Sequence, residues 1–266
     1  MAGRVIVVTS GKGGVGKTTT VANIGTGLAL RHKKVVMIDA DIGLRNLDVV
    51  MGLENRIIYD LVDVAEKTCR SVHKALIKDK RLSNLYLLPA AQTRNKDAIS
   101  PEQMIAIVDE LKEEFDYVLV DCPAGIERGF ENAVAAATEA IVVTTPEVSA
   151  VRDADRIIGL LQDREIYEPV LILNRLRPDM IRRGDMMDVD DINDILAIKL
   201  LGIVPDDEEI IISTNKGEPA VLNDQSKAGE AFRNIVRRLE GEEVPFMSVN
   251  GEPGLFGRFL KLLNGK

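Results

Sequence analysis

Cysteine is scarce in this chain of 266 residues: only Cys69 and Cys122 occur, far apart and in no metal-ligand spacing. That excludes a disulfide framework and a thiolate-only zinc site, and it makes a reducing cytosol the natural compartment. Histidine is equally sparse, and His32 and His73 stand isolated, the pattern of solvated side chains. No apolar run approaches the ~18 residues that a spanning helix needs, and no leader-like segment precedes the first strand-like run, so a cytoplasmic location is expected. Positive charge is in deficit, with 34 basic against 42 acidic residues and a net charge of −8. This argues against a protein whose whole surface grips nucleic acid, although it leaves room for a local basic patch.

What is present is an ordinary globular composition, 45% hydrophobic and 29% charged, enough for one large α/β domain or two small ones. Short apolar runs at 5–9, 35–39, 85–89, 117–121, 140–145, 170–174 and 200–205 are continuous rather than alternating, as in strands covered on both faces. Amphipathic stretches at 18–31, 101–115, 129–138, 151–164 and 228–239 separate them. The spacing predicts an α/β fold with a doubly wound, mostly parallel sheet and right-handed crossovers. Ligands of such sheets bind beyond the carboxyl ends of the strands, so polar residues that directly follow a strand carry the most weight.

The first run leads into Ser10-Gly11-Lys12-Gly13-Gly14-Val15-Gly16-Lys17-Thr18-Thr19, which fits G-x-x-x-x-G-K-[ST] between a strand and a helix. Glycines let successive backbone N–H groups wrap a phosphate chain, and the helix amino end adds its positive dipole. Lys17 is the candidate for neutralising β- and γ-phosphate charge, and the Thr18 hydroxyl for ligating Mg²⁺. Asp39, Asp41 and Asp121 lie at the ends of two further strand-like runs. An aspartate there either caps the next helix or serves the nucleotide. On the second reading Asp121 binds magnesium and Asp39 supports it through water. Cys122 reads as a small buried residue. The acidic stretch 188–194 lacks the Gly and Glu of an EF-hand and reads as a helix start.

The second lysine of the loop, Lys12, is not required by the general pattern. With it, SGKGGVGKTT, DADIGLRNLD, DCPAGIE and PEVSAVRDADR resemble the deviant Walker A ATPases of the MinD/ParA family over essentially the whole chain. The resemblance implies a P-loop NTPase that binds ATP and Mg²⁺ and forms an ATP-sandwich homodimer, in which Lys12 reaches the partner's nucleotide. It also implies that Asp41 orients the attacking water, that Asn174 and Pro205 flank the adenine, and that Asp153 lies on a partner-docking helix. Turn chemistry is the alternative for Asn174 and Pro205.

Beyond a P-loop domain at 1–240 and a Gly/Pro-containing linker at 241–253, residues 254–266 form a strongly patterned peptide. On a helical wheel Leu255, Phe256, Phe259, Leu260, Leu262 and Leu263 share an arc of about 160°, opposite Arg258 and Lys261. The segment from Pro253 onward has three basic and no acidic side chains. Such a helix either docks on its own domain or lies in an anionic membrane interface. For members that place the division septum, the resemblance implies membrane attachment, recruitment of the division inhibitor MinC and stimulation by MinE, with no nucleic acid partner. A ParA-type DNA partition ATPase is the alternative; it would share the Lys12 loop and require a basic DNA-binding surface.

Overall fold

A computed structural model describes residues 2–95 and 98–246. The expected amphipathic segment at 254–266, with its membrane residues, lies outside the described residues. In chain order the elements are β1 (Arg4–Thr9), α1 (Lys17–Leu30), β2 (Val35–Asp39), α2 (Leu47–Met51), α3 (Leu61–Ala65), α4 (Val72–Ala75), β3 (Ile77–Lys78), β4 (Leu85–Leu88), α5 (Pro101–Lys112), β5 (Tyr117–Asp121) and α6 (Arg128–Val134). They continue with β6 (Glu139–Thr144), α7 (Val148–Gln162), β7 (Val170–Leu176), α8 (Pro178–Arg183), α9 (Val189–Leu196), β8 (Lys199–Pro205), α10 (Glu208–Lys216) and α11 (Lys227–Leu239).

The strands form one sheet in the order β3-β4-β2-β5-β1-β6-β7-β8, parallel except for the edge strand β3. All seven expected apolar runs are strands of this sheet. Their side chains point alternately to two cores: Val5, Val7, Val36, Ile38, Val118 and Val120 pack towards α5, α6 and α7. Ile6, Val8, Met37 and Leu119 pack on the other face towards α1 and α11. Burial on both faces is why these runs are continuously apolar. The acidic stretch is the start of α9, whose cap is Asp188 accepting from the Asp191 N–H at 2.7 Å.

The chain order reverses beside β1. After β1 it moves to β2 on one side, and after β5 it crosses to β6 on the other. A crevice therefore opens above the carboxyl end of β1, between its neighbours β5 and β6. The register places Asp39 directly beside Asp121 at the ends of β2 and β5. Among the described residues no helix is long and apolar enough to cross a membrane.

Leu28, fully buried in the core between α1 and the sheet, tests this packing. Leu28→Ala is expected to cost about 2–5 kcal/mol in urea unfolding, and Ile105→Ala, on the half-exposed side of α5, much less. Equal losses would contradict the two-core arrangement.

Candidate nucleotide site

The phosphate loop connects β1 to α1, and α1 begins without a side-chain cap or an acidic residue in its first turn. Its leading N–H groups thus face the crevice with no local anion of their own, the arrangement of a phosphate site. Gly16 precedes the helix at φ 101°, a left-handed conformation that favours glycine. A Cβ there would lie 2.3 Å from the Asn174 side-chain nitrogen. Close approach is needed because Asn174, two residues before the end of β7, donates from Nδ2 to the Val15 carbonyl at 2.8 Å. Asn174 thus braces the loop from below, beyond the base-flanking role that the resemblance implies. Pro205 ends β8, paired with Leu176 of β7, a strand that runs two residues past the end expected at Asn174.

The two loop lysines are held differently. Lys17 is buried, and its Nζ donates to the Ser10 hydroxyl at 3.0 Å, while that hydroxyl donates to the Lys12 carbonyl at 2.8 Å. Lys12 turns outward: its Nζ lies 3.3 Å from the Glu147 carboxylate and 3.2 Å from the Ser149 hydroxyl. Ser10, Glu147 and Ser149 were not among the residues expected from sequence. Ser10 was detectable as the residue after the strand; the contact of Lys12 with the start of α7 is purely tertiary. Gly11 packs on the same helix, where a Cβ would meet the Asp153 carbonyl oxygen at 2.3 Å. Asp153, the expected docking residue, therefore belongs to a helix that backs the loop.

Three aspartates stand near the loop, at or just beyond the ends of β2 and β5. Asp39 accepts from the Asp41 N–H at 3.0 Å and from the Asn46 and Leu47 N–H groups at 3.2 and 3.1 Å, so it holds the start of α2. Burial raises its carboxyl to about 6, against the pull of those three donors. These bonds account for both of its oxygens, which suits a supporting position behind water rather than direct ligation. Asp121 is completely buried, and burial together with the neighbouring Asp39 charge pushes its carboxyl well above the usual range. The nearby Thr18 hydroxyl and the Lys17 charge both act in the opposite sense and favour the carboxylate. The Oδ1 of Asp121 is buried without a hydrogen-bond partner. An unsatisfied carboxylate oxygen beside a hydroxyl, in a phosphate site, is the donor set that Mg²⁺ takes along with phosphate oxygens and water. Among the described residues no three His, Cys, Asp or Glu side chains are placed to hold a metal by themselves.

Cys122 is buried and its thiol is pushed up to about 12 by that burial, so it is not a nucleophile at neutral pH. His32 and His73 are both exposed, as expected, and the His73 Nε2 lies 3.1 Å from the Glu114 carboxylate, which is also exposed. Thr19 occupies the first turn of α1, where its carbonyl accepts from Asn23.

Sheet order, uncapped α1, paired lysines and strand-end aspartates define a P-loop NTPase of the deviant Walker A type. The chain matches the AAA domain family over residues 3–165. It is 63% identical over 245 residues to the septum site-determining protein MinD of Synechocystis, covering 92% of each chain. Among solved structures it is similar to that of the MinC:MinD cell division protein complex of Aquifex aeolicus, with 50% identity, TM-score 0.86, and coverage of 92% of this chain and 98% of that one. It is also similar to MinD of Pyrococcus horikoshii OT3 complexed with Mg-ADP, with 30% identity, TM-score 0.80, and coverage of 90% and 96%. The chain belongs to the MinD family of septum site-determining cell division ATPases.

Lys17→Ala removes a buried cation from the phosphate site and is expected to weaken ATP binding about 10–100-fold, the worth of a charged hydrogen bond. Titration with a fluorescent ATP analogue measures this, and unchanged affinity would contradict the assignment.

Proposed function

We propose that this chain is a Mg²⁺-dependent ATPase switch that dimerises with ATP, attaches to the inner face of the cell membrane through residues 254–266, and there recruits a division inhibitor to control septum placement. The observation that carries the reading is Lys12, a second lysine at the mouth of a phosphate loop, held by partners at the exposed start of α7. Exchanging these contacts for a partner's nucleotide would make dimerisation depend on ATP.

In this reading the N–H groups of residues 13–17 receive the phosphate chain, and Lys17 neutralises its β- and γ-charge. Thr18 and Asp121 hold Mg²⁺, which withdraws charge from the phosphate oxygens when bound. Asp41 orients a water in line with the γ-phosphate; the water oxygen bonds phosphorus as the bond to ADP breaks, and the products are ADP and phosphate. Asn174 and Pro205 border the base.

Membrane attachment rests on the sequence of the carboxyl segment. Full burial of its six large apolar groups is worth up to about 9–18 kcal/mol, and ordering ~10 residues costs about 15 kcal/mol. One copy therefore binds weakly, and two copies on a dimer gain about 10²–10⁴-fold through effective concentration. ATP binding becomes attachment and hydrolysis becomes release to the cytoplasm. The Aquifex relative in complex with MinC supports MinC as the recruited inhibitor, with Asp153 on the docking helix. MinE as the stimulator of hydrolysis extends the same reading.

Co-sedimentation with anionic liposomes tests it. The full chain is expected to pellet with ATP and not with ADP, Asp41→Ala to stay pelleted after ATP has been supplied, and a chain ending at Gly254 to remain in solution. Equal pelleting of the full and shortened chains would overturn the anchor. Salt-sensitive, ATP-dependent DNA binding without pelleting would favour a partition ATPase instead.

A further inference from the structure

Far from the phosphate loop, one largely buried cation joins two helices that both begin at the nucleotide site. Arg81, in the turn after the edge strand β3, donates to the Met51 carbonyl at 2.9 Å and to the Gly217 carbonyl at 2.8 Å. Met51 is the last residue of α2, and Gly217 directly follows α10. A cation at helix carboxyl ends is favourably placed against their dipoles. Its direction is set by Asp79, a buried carboxylate 2.8 Å away, which also accepts from the Arg81 and Leu82 N–H groups at 2.7 and 3.0 Å. At the same place the backbones of Gly52 and Gly217 touch, both at φ 64°. A Cβ on Gly52 would fall 2.9 Å from the Gly217 carbonyl oxygen, and one on Gly217 2.5 Å from the Gly52 Cα.

The opposite ends of these helices border the site. The leading N–H groups of α2, Asn46 and Leu47, sit on the Asp39 carboxylate. The start of α10 directly follows Pro205-Asp206-Asp207. With five residues, α2 is too short to persist by itself, so what grips its two ends decides where it lies.

We propose that Arg81 is a positioning residue for ATP hydrolysis: by clamping the carboxyl ends of α2 and α10 together, it keeps the Asn46 and Leu47 N–H groups on Asp39 and so holds the 39–41 segment for the reaction. This deepens the ATPase reading above and rests on it.

The test uses the full chain and the variants Arg81→Ala, Arg81→Lys and Gly217→Ala, with Lys74→Ala on the exposed face of α4 as a control. Turnover is expressed per titrated nucleotide-binding site, so that misfolded protein does not count. Arg81→Ala and Gly217→Ala, which disturb the clamp from opposite sides, are expected to lower kcat about 10–100-fold, the scale of a remote misplacement of reacting groups. Nucleotide affinity is expected to change much less. Arg81→Lys, whose single ammonium cannot span three acceptors, is expected to fall between, and Lys74→Ala to match the wild type. Amide hydrogen exchange at Asn46 and Leu47 is expected to accelerate in both clamp variants. Wild-type kcat per site in both, or unchanged exchange at these two amides, would overturn the proposal. A wild-type chain that binds ATP without turning it over would instead contradict the ATPase reading, and exchange would still decide whether the clamp holds α2.

Discussion

Two aspartates are forced together by the parallel register of β2 and β5, and much of the site is arranged around that contact. Asp39 and Asp121 are lateral neighbours at the strand ends, both buried, with Lys17 acting on Asp121 from the loop. Carboxylates in such surroundings lose hydration and repel each other, so the charged state is costly. The strands cannot separate to relieve it, because cores on both faces hold them in register. The Asn46 and Leu47 N–H groups take one Asp39 oxygen and the Asp41 N–H takes the other, while one Asp121 oxygen has no hydrogen-bond partner.

Around this centre the loop is braced rather than merely flexible. Asn174 fixes the Val15 carbonyl from β7, Ser10 links the two loop lysines, and α7 backs Gly11. The helix that meets the phosphates is uncapped, while α5 carries a full capping box through Ser100 and Gln103. The contrast fits a helix whose amino end is kept open for an anion. The signature lysine is tied to Glu147 and Ser149, contacts at the surface that cost little to exchange.

The seven long strands and the phosphate loop were legible because each depends on local pattern: apolar continuity for burial on two faces, glycine spacing for close backbone approach. The strand ends at Asp39 and Asp121 were legible for the same reason, whereas β7 runs two residues past Asn174. The two-residue β3 and the short helices α2, α3 and α4 were not legible, since elements of that length are held by tertiary contacts rather than propensity. Nor were the Lys12–Glu147 contact, separated by 135 residues, or the reach of Arg81 to Gly217, separated by 136. No local pattern carries such pairings. His73 shows the same limit in miniature, because its Glu114 neighbour comes from another helix end.

The most direct test of the buried carboxylate centre is thermal unfolding of the nucleotide-free protein and its Asp121→Asn variant between pH 5 and 8. The folded chain holds Asp39 and Asp121 protons more tightly than the unfolded chain does, so their contribution to stability is present at low pH and is lost as pH rises through the raised folded values. Asp121→Asn is expected to be more stable than the wild type by a gap that widens with pH, and Mg²⁺ with ADP is expected to stabilise the wild type more than the variant. A variant less stable than the wild type across this range would contradict this expectation.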